Sequence, residues 1–420
     1  MGLQSHFRLT SRTWDLLSVA LILLILAAHV RFALLDGRLP TNNNHAYYGF
    51  PDMYRLLGQD GRAAEALRDA FFSIGGWYNL LIAGLLHVFG TTPLVLQALN
   101  ALWLALVLCG MALIARRFWG SAAAFVALCL LPPGGEALVI QARLSCIHIP
   151  ELALLLGILV ALGYDRQLRR WSTVILVGLA GAGALAIRQS SLIWIGTLLP
   201  LLFSSCRLVV GRPGGLWKIL TIFALWSVAA PPYWLHLRDY VLEKIDHRNV
   251  FIGDLSLELL YNSILNDLGA VVFWLGLAAM VAALARWRQA PRPLLWVLLC
   301  WFIGPCILFA VFVAGTQDFP MYYVAFSLLV SAGLSRIPRW PRPLLLLLLL
   351  PWFHAYIPQW LPESGPRLMA NLPFHSPGRA EAGIRNVYRV HSGQHASDLK
   401  MLLAATCPRD GGQRCLIYSN

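Results

Sequence analysis

The chain has 420 residues, of which 58% are hydrophobic and 13% charged, and its mean hydropathy is +0.64. Soluble domains carry about 25% charged residues, so this composition excludes an ordinary soluble domain and indicates a membrane protein with many spans. The formal net charge of +13 does not indicate nucleic-acid binding, because the excess lies in short clusters between apolar segments.

Apolar segments long enough to cross a bilayer predict eleven transmembrane helices, since a span needs about 20 apolar residues, or fewer where neighbours shield it. The first follows Arg8 and Arg12 without a cleavage-site pattern, so we expect a retained signal anchor. A shorter stretch, 77–89, is predicted to lie in the membrane interface. The predicted spans are 14–35, 93–115, 119–140, 148–164, 172–187, 190–206, 217–236, 268–285, 293–315, 321–335 and 343–357.

Five basic clusters between these spans predict the orientation. Short loops rich in Lys and Arg stay in the cytoplasm, so we expect a multi-pass protein of the bacterial inner membrane with its N-terminus inside and C-terminus outside. The transmembrane domain is then 1–357, with a first external loop at 36–92 and an external tail at 358–420. The clusters are Arg116-Arg117, Arg166/Arg169/Arg170, Arg207/Arg212/Lys218, Arg286/Arg288/Arg292 and Arg336/Arg339/Arg342.

The first external loop holds the candidates for a general base. Asp52 is the preferred one and His45 its competitor, because a carboxylate or a neutral imidazole can take a proton from an acceptor hydroxyl or amine. The alternative for Asp52 is a solvated loop aspartate. An amphipathic stretch at 62–72 follows, as suits a binding site at a membrane surface. Aromatic residues of the loop are expected to bind substrate: Tyr47, Tyr48 and Tyr54.

Two further external turns carry charged residues at span ends. Glu151 lies where the second loop re-enters the membrane, and an ionisable residue there is a functional candidate by default, here for catalysis. Arg188 precedes Ser190-Ser191 at the start of the next span, and a guanidinium beside hydroxyl donors can hold a phosphate. The structural alternatives are a carboxylate anchoring a helix end and an arginine reaching lipid headgroups. Further substrate-binding candidates are Arg143, His148, Gln189, Arg248 and Tyr322.

Cysteine and histidine spacing gives little evidence of cofactors. No Cys/His set has zinc-binding spacing, so no metal ligand is assigned, and the cofactor stays unknown with a divalent cation left open. Cys407 and Cys415 flank a polar loop in the predicted external tail and are expected to form a disulfide. The outward carboxylate with its scattered cations indicates an anionic, lipid-linked substrate.

The order and spacing of these elements resemble the GT-C class of membrane glycosyltransferases, which use polyprenyl-phosphate sugars. The protein O-mannosyltransferase and lipid A aminoarabinose transferase families are nearest in style, mainly over 14–205 and more thinly to 335. In the class the first loop opens with Asp-Glu-Ala-Tyr-Tyr, and its Asp is the catalytic base. This chain instead has Asn44-His45-Ala46-Tyr47-Tyr48, without the two carboxylates.

Other class motifs have counterparts in this chain. The interfacial helix ends in Phe89-Gly90, a later span ends in Ala115 to Gly120, and Pro150-Glu151 stands where the class usually has Pro-Asp. Arg188 corresponds to a basic residue that contacts the lipid phosphate. Residues 316–323 resemble an Arg-Tyr-containing start of a late span.

The resemblance implies an all-α bundle with its active site at the external face. It implies transfer of a sugar from a polyprenyl phosphate to a lipid, glycan or protein acceptor. Asp52 or His45 would be the base, with Glu151 and Arg188 orienting donor and acceptor. Two alternatives stay open: an inactive relative that binds polyprenyl phosphate or a partner, and a lipid or solute transporter or flippase. Few mid-span charges weigh against the transporter.

Overall fold

The described part of the chain is entirely helical apart from its turns. A computed structural model describes residues 10–36, 53–72, 75–90, 93–131, 148–188, 191–228, 270–285, 292–311, 321–335 and 345–347. Within these ranges no residue belongs to a β-strand. The all-α prediction is therefore confirmed for the described residues.

The helices follow one another in chain order with short turns wherever consecutive ones are described. They are α1 (Ser11–Asp36), α2 (53–59), α3 (Ala63–Phe72), α4 (Gly76–Phe89), α5 (Pro93–Trp119), α6 (Ser121–Cys129), α7 (His148–Tyr164), α8 (Trp171–Ile187), α9 (Ser191–Val209), α10 (Gly215–Val228), α11 (Ala270–Ala285), α12 (Arg292–Val311) and α13 (Met321–Leu334). Residues 345–347 form a 3₁₀ turn.

Each predicted span except the last overlaps a described helix, although several boundaries differ. Helix α5 runs to Trp119 rather than ending at 115, because its last turn accommodates Arg116 and Arg117, and cations are favoured at a helix C-terminus. Of the third predicted span, α6 is described as far as Cys129. Of the last, 343–357, only the 3₁₀ turn is described. The total of eleven crossings stays a prediction.

Helix length separates two groups among the described spans. Three segments are long and apolar enough to cross a membrane by themselves: Ser11–Arg31, Leu94–Trp119 and Ser191–Val209. Helices α4, α7, α8, α10 and α13 are apolar but have 10–17 residues. A helix too short to cross a bilayer alone needs neighbouring helices that shield the polar groups at its ends from lipid. The other helices of the bundle supply these neighbours.

Apolar side chains face both the interior and the outside of the bundle. Helix α5 packs on α6 and α7, α7 packs on α8, α8 packs on α10, and α13 packs on α11 and α12. Leu108 and Leu155 are completely buried between these helices, whereas Leu23, Leu102 and Leu179 expose more than half of their surface. An apolar outer surface is what a helix bundle presents to lipid tails.

The basic clusters that are described lie together at one end of the bundle, called the basic end below. Arg116 pairs with Asp15 at the start of α1 over 2.9 Å. Arg166 Nη2 donates to Ser204 Oγ, near the end of α9, over 3.4 Å. Lys218 Nζ donates to two main-chain carbonyls of the α7–α8 turn at 2.7 and 2.8 Å. The start of α7 and the end of α8 therefore lie at the opposite end, called the site end.

Candidate functional site

The first-loop helices α2, α3 and α4 pack on one another. Tyr54 is buried with Ala66, Ala70 and Ala83, and its hydroxyl donates to the Asp69 carboxylate. The polar face predicted for 62–72 is exposed, as expected for an amphipathic helix. Tyr54 was predicted to bind substrate, and the structure gives its hydroxyl a partner inside this helical unit. Its role in binding stays a prediction.

Helix α4 joins this unit to the site end of the bundle. Its inner face, with Ile82 and Leu86, packs against Leu96 at the start of α5 and Ile187 at the end of α8. Its outer face is apolar and exposed, with Leu81, Val88 and Phe89. The stretch 77–89 is thus helical as predicted, and an apolar outer face suits the interfacial position that we predicted for it.

Gly75 is the N-cap residue of α4 and lies close to the end of α8. Its φ is 77°, a left-handed conformation that favours glycine, and a Cβ there would lie 3.2 Å from the Ile187 carbonyl oxygen. Ile187 immediately precedes Arg188. Gly75 therefore lies against the main chain that positions the Arg188 side chain.

Four polar side chains from three helix ends meet at the site end and are called the Glu151 cluster below. His148 and Glu151 lie in the first turn of α7, Arg188 follows α8, and Ser191 begins α9. Glu151 and Ser191 are completely buried, and the Arg188 side chain is 22% exposed. The cluster thus extends from the interior of the bundle to its surface.

The geometry of the cluster ties Glu151 to two neighbouring helix ends. The Ser191 hydroxyl donates to Glu151 Oε1 over 2.7 Å, and Arg188 Nη1 lies 3.8 Å from Glu151 Oε2. Arg188 Nη1 also contacts His148 Nδ1. A guanidinium has only donors, so Nδ1 must accept, and a neutral His148 ring then carries its proton on Nε2.

The local sequence explains how these side chains reach one place. Residues three apart share a helix face, so His148 and Glu151 point the same way from α7. Pro150 is tolerated between them, because the first turn needs no N–H donor there. Arg188 has an extended backbone, with φ −153° and ψ 146°, and this ends α8 and redirects the chain into α9. Ser191 is then the first residue of α9.

Burial explains why the carboxylate needs these partners. An ionised carboxylate is strongly disfavoured in an apolar interior unless a countercharge and hydrogen bonds compensate it. Arg188 supplies the charge and Ser191 a hydrogen bond. The same guanidinium reaches the surface, and guanidinium groups bind phosphate oxygens through paired donors. The arrangement can therefore hold an anionic group against a buried carboxylate.

Tyr322 lies at the start of α13 and is completely buried, with its ring 3.9 Å from that of Tyr323. Its helix packs on α5 and α6, and α5 also packs on the helix of Glu151. Other predicted site residues lie outside the described residues, so their roles stay predictions: His45, Tyr47, Tyr48, Asp52, Arg143, Gln189, Arg248, Cys407 and Cys415.

Ser191 is the site residue that sequence reasoning did not assign. Its hydroxyl was expected only as one of the donors that could hold a phosphate beside Arg188. Its contact with Glu151 was not predicted, because nothing local links it to a carboxylate 40 positions earlier. A serine opening a helix next to an arginine was the available signal. Among the described residues, no group of three or more His, Cys, Asp or Glu side chains is placed to hold a metal ion.

No protein-family model matches this sequence, and no curated protein matches it. Its structure is similar to ArnT from Cupriavidus metallidurans bound to undecaprenyl phosphate, with a TM-score of 0.53 and 16% identity, covering 86% of this chain and 66% of that one. The chain has a GT-C membrane fold. The GT-C resemblance predicted from the sequence is confirmed at the level of the fold.

Two more solved structures are similar to this GT-C fold. The apo form of the same ArnT gives a TM-score of 0.53 and 15% identity, covering 86% of this chain and 65% of that one. Archaeal oligosaccharyltransferase AglB from Archaeoglobus fulgidus, in complex with an inhibitory peptide and a dolichol-phosphate, gives a TM-score of 0.48 and 13% identity. That match covers 75% of this chain and 50% of the AglB chain. This chain thus spans just under two thirds of the length of the ArnT chains.

Proposed function

We propose that this chain is a membrane glycosyltransferase that moves a sugar from a polyprenyl-phosphate donor to an acceptor at the site end. The Glu151 cluster is the observation that carries this proposal. It holds a fully buried carboxylate 3.8 Å from a partly exposed guanidinium, where three helix ends meet. The GT-C fold supports the proposal, because the similar ArnT structure holds undecaprenyl phosphate.

The site end is proposed to face outward, into the periplasm of a bacterium. The argument is the position of the basic clusters, three of which share the opposite end through contacts such as Arg116 with Asp15 and Arg166 with Ser204. Cytoplasmic loops carry the excess of Lys and Arg. A lipid-linked donor would then be used on the outer face of the membrane.

The proposed reaction assigns one task to each group. An acceptor oxygen or nitrogen attacks the anomeric carbon of the sugar, the bond from that carbon to the phosphate oxygen breaks, and polyprenyl phosphate leaves with the bonding electrons. Asp52, or His45 in its place, takes the acceptor proton. Arg188 stabilises the charge on the leaving phosphate. Glu151 orients Arg188 and the acceptor, and Ser191 holds Glu151.

A second candidate function is binding of polyprenyl phosphate without transfer. The first loop favours it, because Asn44-His45 stands where the class has its two carboxylates. Such a protein would keep the Arg188 contact to phosphate and lack turnover. Binding and turnover therefore have to be measured separately.

The test is release of polyprenyl phosphate by the full-length protein in lipid nanodiscs, supplied with polyprenyl-phosphate sugars and a panel of hydroxyl and amine acceptors. We expect release that depends on donor and acceptor. We expect Asp52→Asn to reduce it by about 10²–10⁴-fold and His45→Ala to reduce it less. Donor binding without release would support the second candidate. Absence of any polyprenyl-phosphate binding would overturn both.

A further inference from the structure

A groove opens between α7 and α8 at the basic end, far along both helices from the Glu151 cluster. Its volume is 440 Å³, within the range of about 300–1,000 Å³ typical of small-molecule sites. Residues from both helices and from the turn between them line it. One half of the groove is apolar and the other half carries charge.

The apolar half is continuous with the outer surface of the bundle. Val160 of α7 and Leu176 of α8 form this wall. Leu176 is half exposed, and Ile175 and Leu179 on the same helix are exposed to a similar extent. A wall that runs into an apolar outer surface is open to a hydrocarbon chain from the surrounding lipid.

The charged half has two arginines at its mouth. Arg169 and Arg170 both line the groove and are exposed. Arg169 Nε donates to Gln167 Oε1 over 2.8 Å. The Arg170 guanidinium makes no hydrogen bond or ion pair with any other residue in the described ranges. Ser172 adds a hydroxyl beside them.

One carboxylate, Asp165, also lines the groove, and its oxygens accept hydrogen bonds from its own turn. Oδ1 accepts from the Arg169 N–H at 2.9 Å, and Oδ2 accepts from the Arg170 N–H at 2.9 Å and the Thr173 hydroxyl at 3.0 Å. The positive charge of Lys218 acts on it as well. The two guanidinium groups outnumber the single carboxylate, so the lining presents a net positive charge to a ligand.

We propose that this groove binds an acidic phospholipid of the cytoplasmic leaflet. The phosphate lies between Arg169 and Arg170, and the first part of an acyl chain lies along Val160 and Leu176. Basic pockets between transmembrane helices on the cytoplasmic side suit anionic lipid headgroups. Tyr164 also lines the groove, is half exposed, and has its ring centroid 5.6 Å from the Arg117 guanidinium. Tyrosine is common at the level of the lipid headgroups, where we place the phosphate.

The experiment is native mass spectrometry of the full-length protein in detergent, supplied with phosphatidylglycerol or phosphatidylcholine of the same chain length. We expect the wild type to retain phosphatidylglycerol about fivefold or more in preference to phosphatidylcholine, since each basic residue near a lipid surface contributes about that factor. Arg170→Gln lowers this preference about fivefold. Leu176→Trp fills the groove and lowers retention without changing charge.

Arg207→Gln is the matched control, because Arg207 is an exposed arginine of the basic end that does not line the groove. We expect it to retain phosphatidylglycerol like the wild type. Equal loss in Arg170→Gln and Arg207→Gln would overturn the site in favour of diffuse surface charge. Equal retention of both lipids by the wild type, or full displacement of phosphatidylglycerol by glycerol phosphate, would overturn it too. Unchanged thermal unfolding of the variants shows that folding is not the cause.

Discussion

The two ends of α7 each place a carboxylate beside arginines, and the two carboxylates differ in burial and in how far along the chain their hydrogen-bond partners lie. At the basic end, Asp165 is partly exposed and bonds within its own turn, to residues four to eight positions away. At the site end, Glu151 is completely buried and bonds to Ser191, 40 positions away. Local contacts stabilise a turn, whereas contacts between distant helix ends position a group.

The surroundings of Asp165 also act on its ionisation. Partial burial raises the pKa of this carboxyl group, but hydrogen bonds from the Arg170 and Arg169 main chain and the Thr173 hydroxyl, with the charge of Lys218, lower it below the usual 3.8. These partners favour the ionised form of Asp165, and their hydrogen bonds to it stabilise the turn. Among the described residues, the hydrogen bonds of this carboxylate all come from 169–173, next to it in the chain.

The largest expected difference between the two ends is in catalysis. Glu151→Gln keeps the shape of the side chain and an acceptor for the Ser191 hydroxyl. It removes the negative charge that we propose orients Arg188. We expect sugar transfer to fall about 10²-fold or more, as when one preorganised group is lost from an active site. The measurement is the initial rate of polyprenyl-phosphate release by protein with an unchanged unfolding temperature.

Asp165→Asn is the control for that prediction, because it makes the same kind of change at the other end of α7. We expect it to leave the transfer rate within about twofold. An equal loss of rate in Asp165→Asn and Glu151→Gln would contradict the proposed difference between the two ends of α7.

Ser191 tests whether the contact between helix ends positions Glu151. Ser191→Ala removes a hydrogen bond to a charged group, which contributes about 1.5–3 kcal/mol, so we expect transfer to be roughly 10- to 100-fold slower. Ser191→Thr keeps the hydroxyl and should restore most of the rate. Ser205→Ala is the matched control on α9, since Ser205 is equally buried and donates only to the Leu201 carbonyl of its own helix. Equal losses in Ser191→Ala and Ser205→Ala would show a general packing defect.

Gly75 tests the contact of the first-loop helices with the end of α8. Gly75→Ala adds a Cβ at a positive φ, 3.2 Å from the Ile187 carbonyl oxygen, so we expect transfer to fall a few-fold and the protein to lose about 1 kcal/mol of stability. Gly84→Ala is the control, because a Cβ there meets nothing within 4 Å inside α4. It should leave the rate unchanged and raise the unfolding temperature. A faster or unchanged rate in Gly75→Ala would argue against the contact.

The smallest expected effect is the pH dependence of the Asp165 turn. Because the pKa of Asp165 is lower when folded, its contribution is fully present above the pKa of the unfolded chain and disappears as the pH falls through the folded value. The unfolding temperature of the wild type should exceed that of Asp165→Asn at pH 7, and the gap should close below about pH 4. If the difference in unfolding temperature between the wild type and Asp165→Asn grew on acidification, the pKa of Asp165 would be raised rather than lowered by folding.

The helices around the site were predictable because their signals are local. The apolar runs of α7, α8 and α9, with Pro150 in the first turn of α7 and Arg188 after α8, predicted boundaries within a few residues of those observed. The contact of Ser191 with Glu151 was not predictable, because it depends on how three helices pack. The partner of Tyr54 was not predictable either. The sequence around a tyrosine in a polar loop does not show whether its hydroxyl binds a substrate or, as here, donates to Asp69.

The central claim, that the Glu151 cluster holds the donor phosphate, is tested most directly by the affinity of the full-length protein for polyprenyl phosphate. Arg188→Gln should weaken binding about tenfold or more, because a guanidinium–phosphate contact is charge-assisted. Arg212→Gln should bind like the wild type, because Arg212 lies at the basic end, where it donates to Gln167. Wild-type affinity in Arg188→Gln, or an equal loss in Arg212→Gln, would contradict the claim.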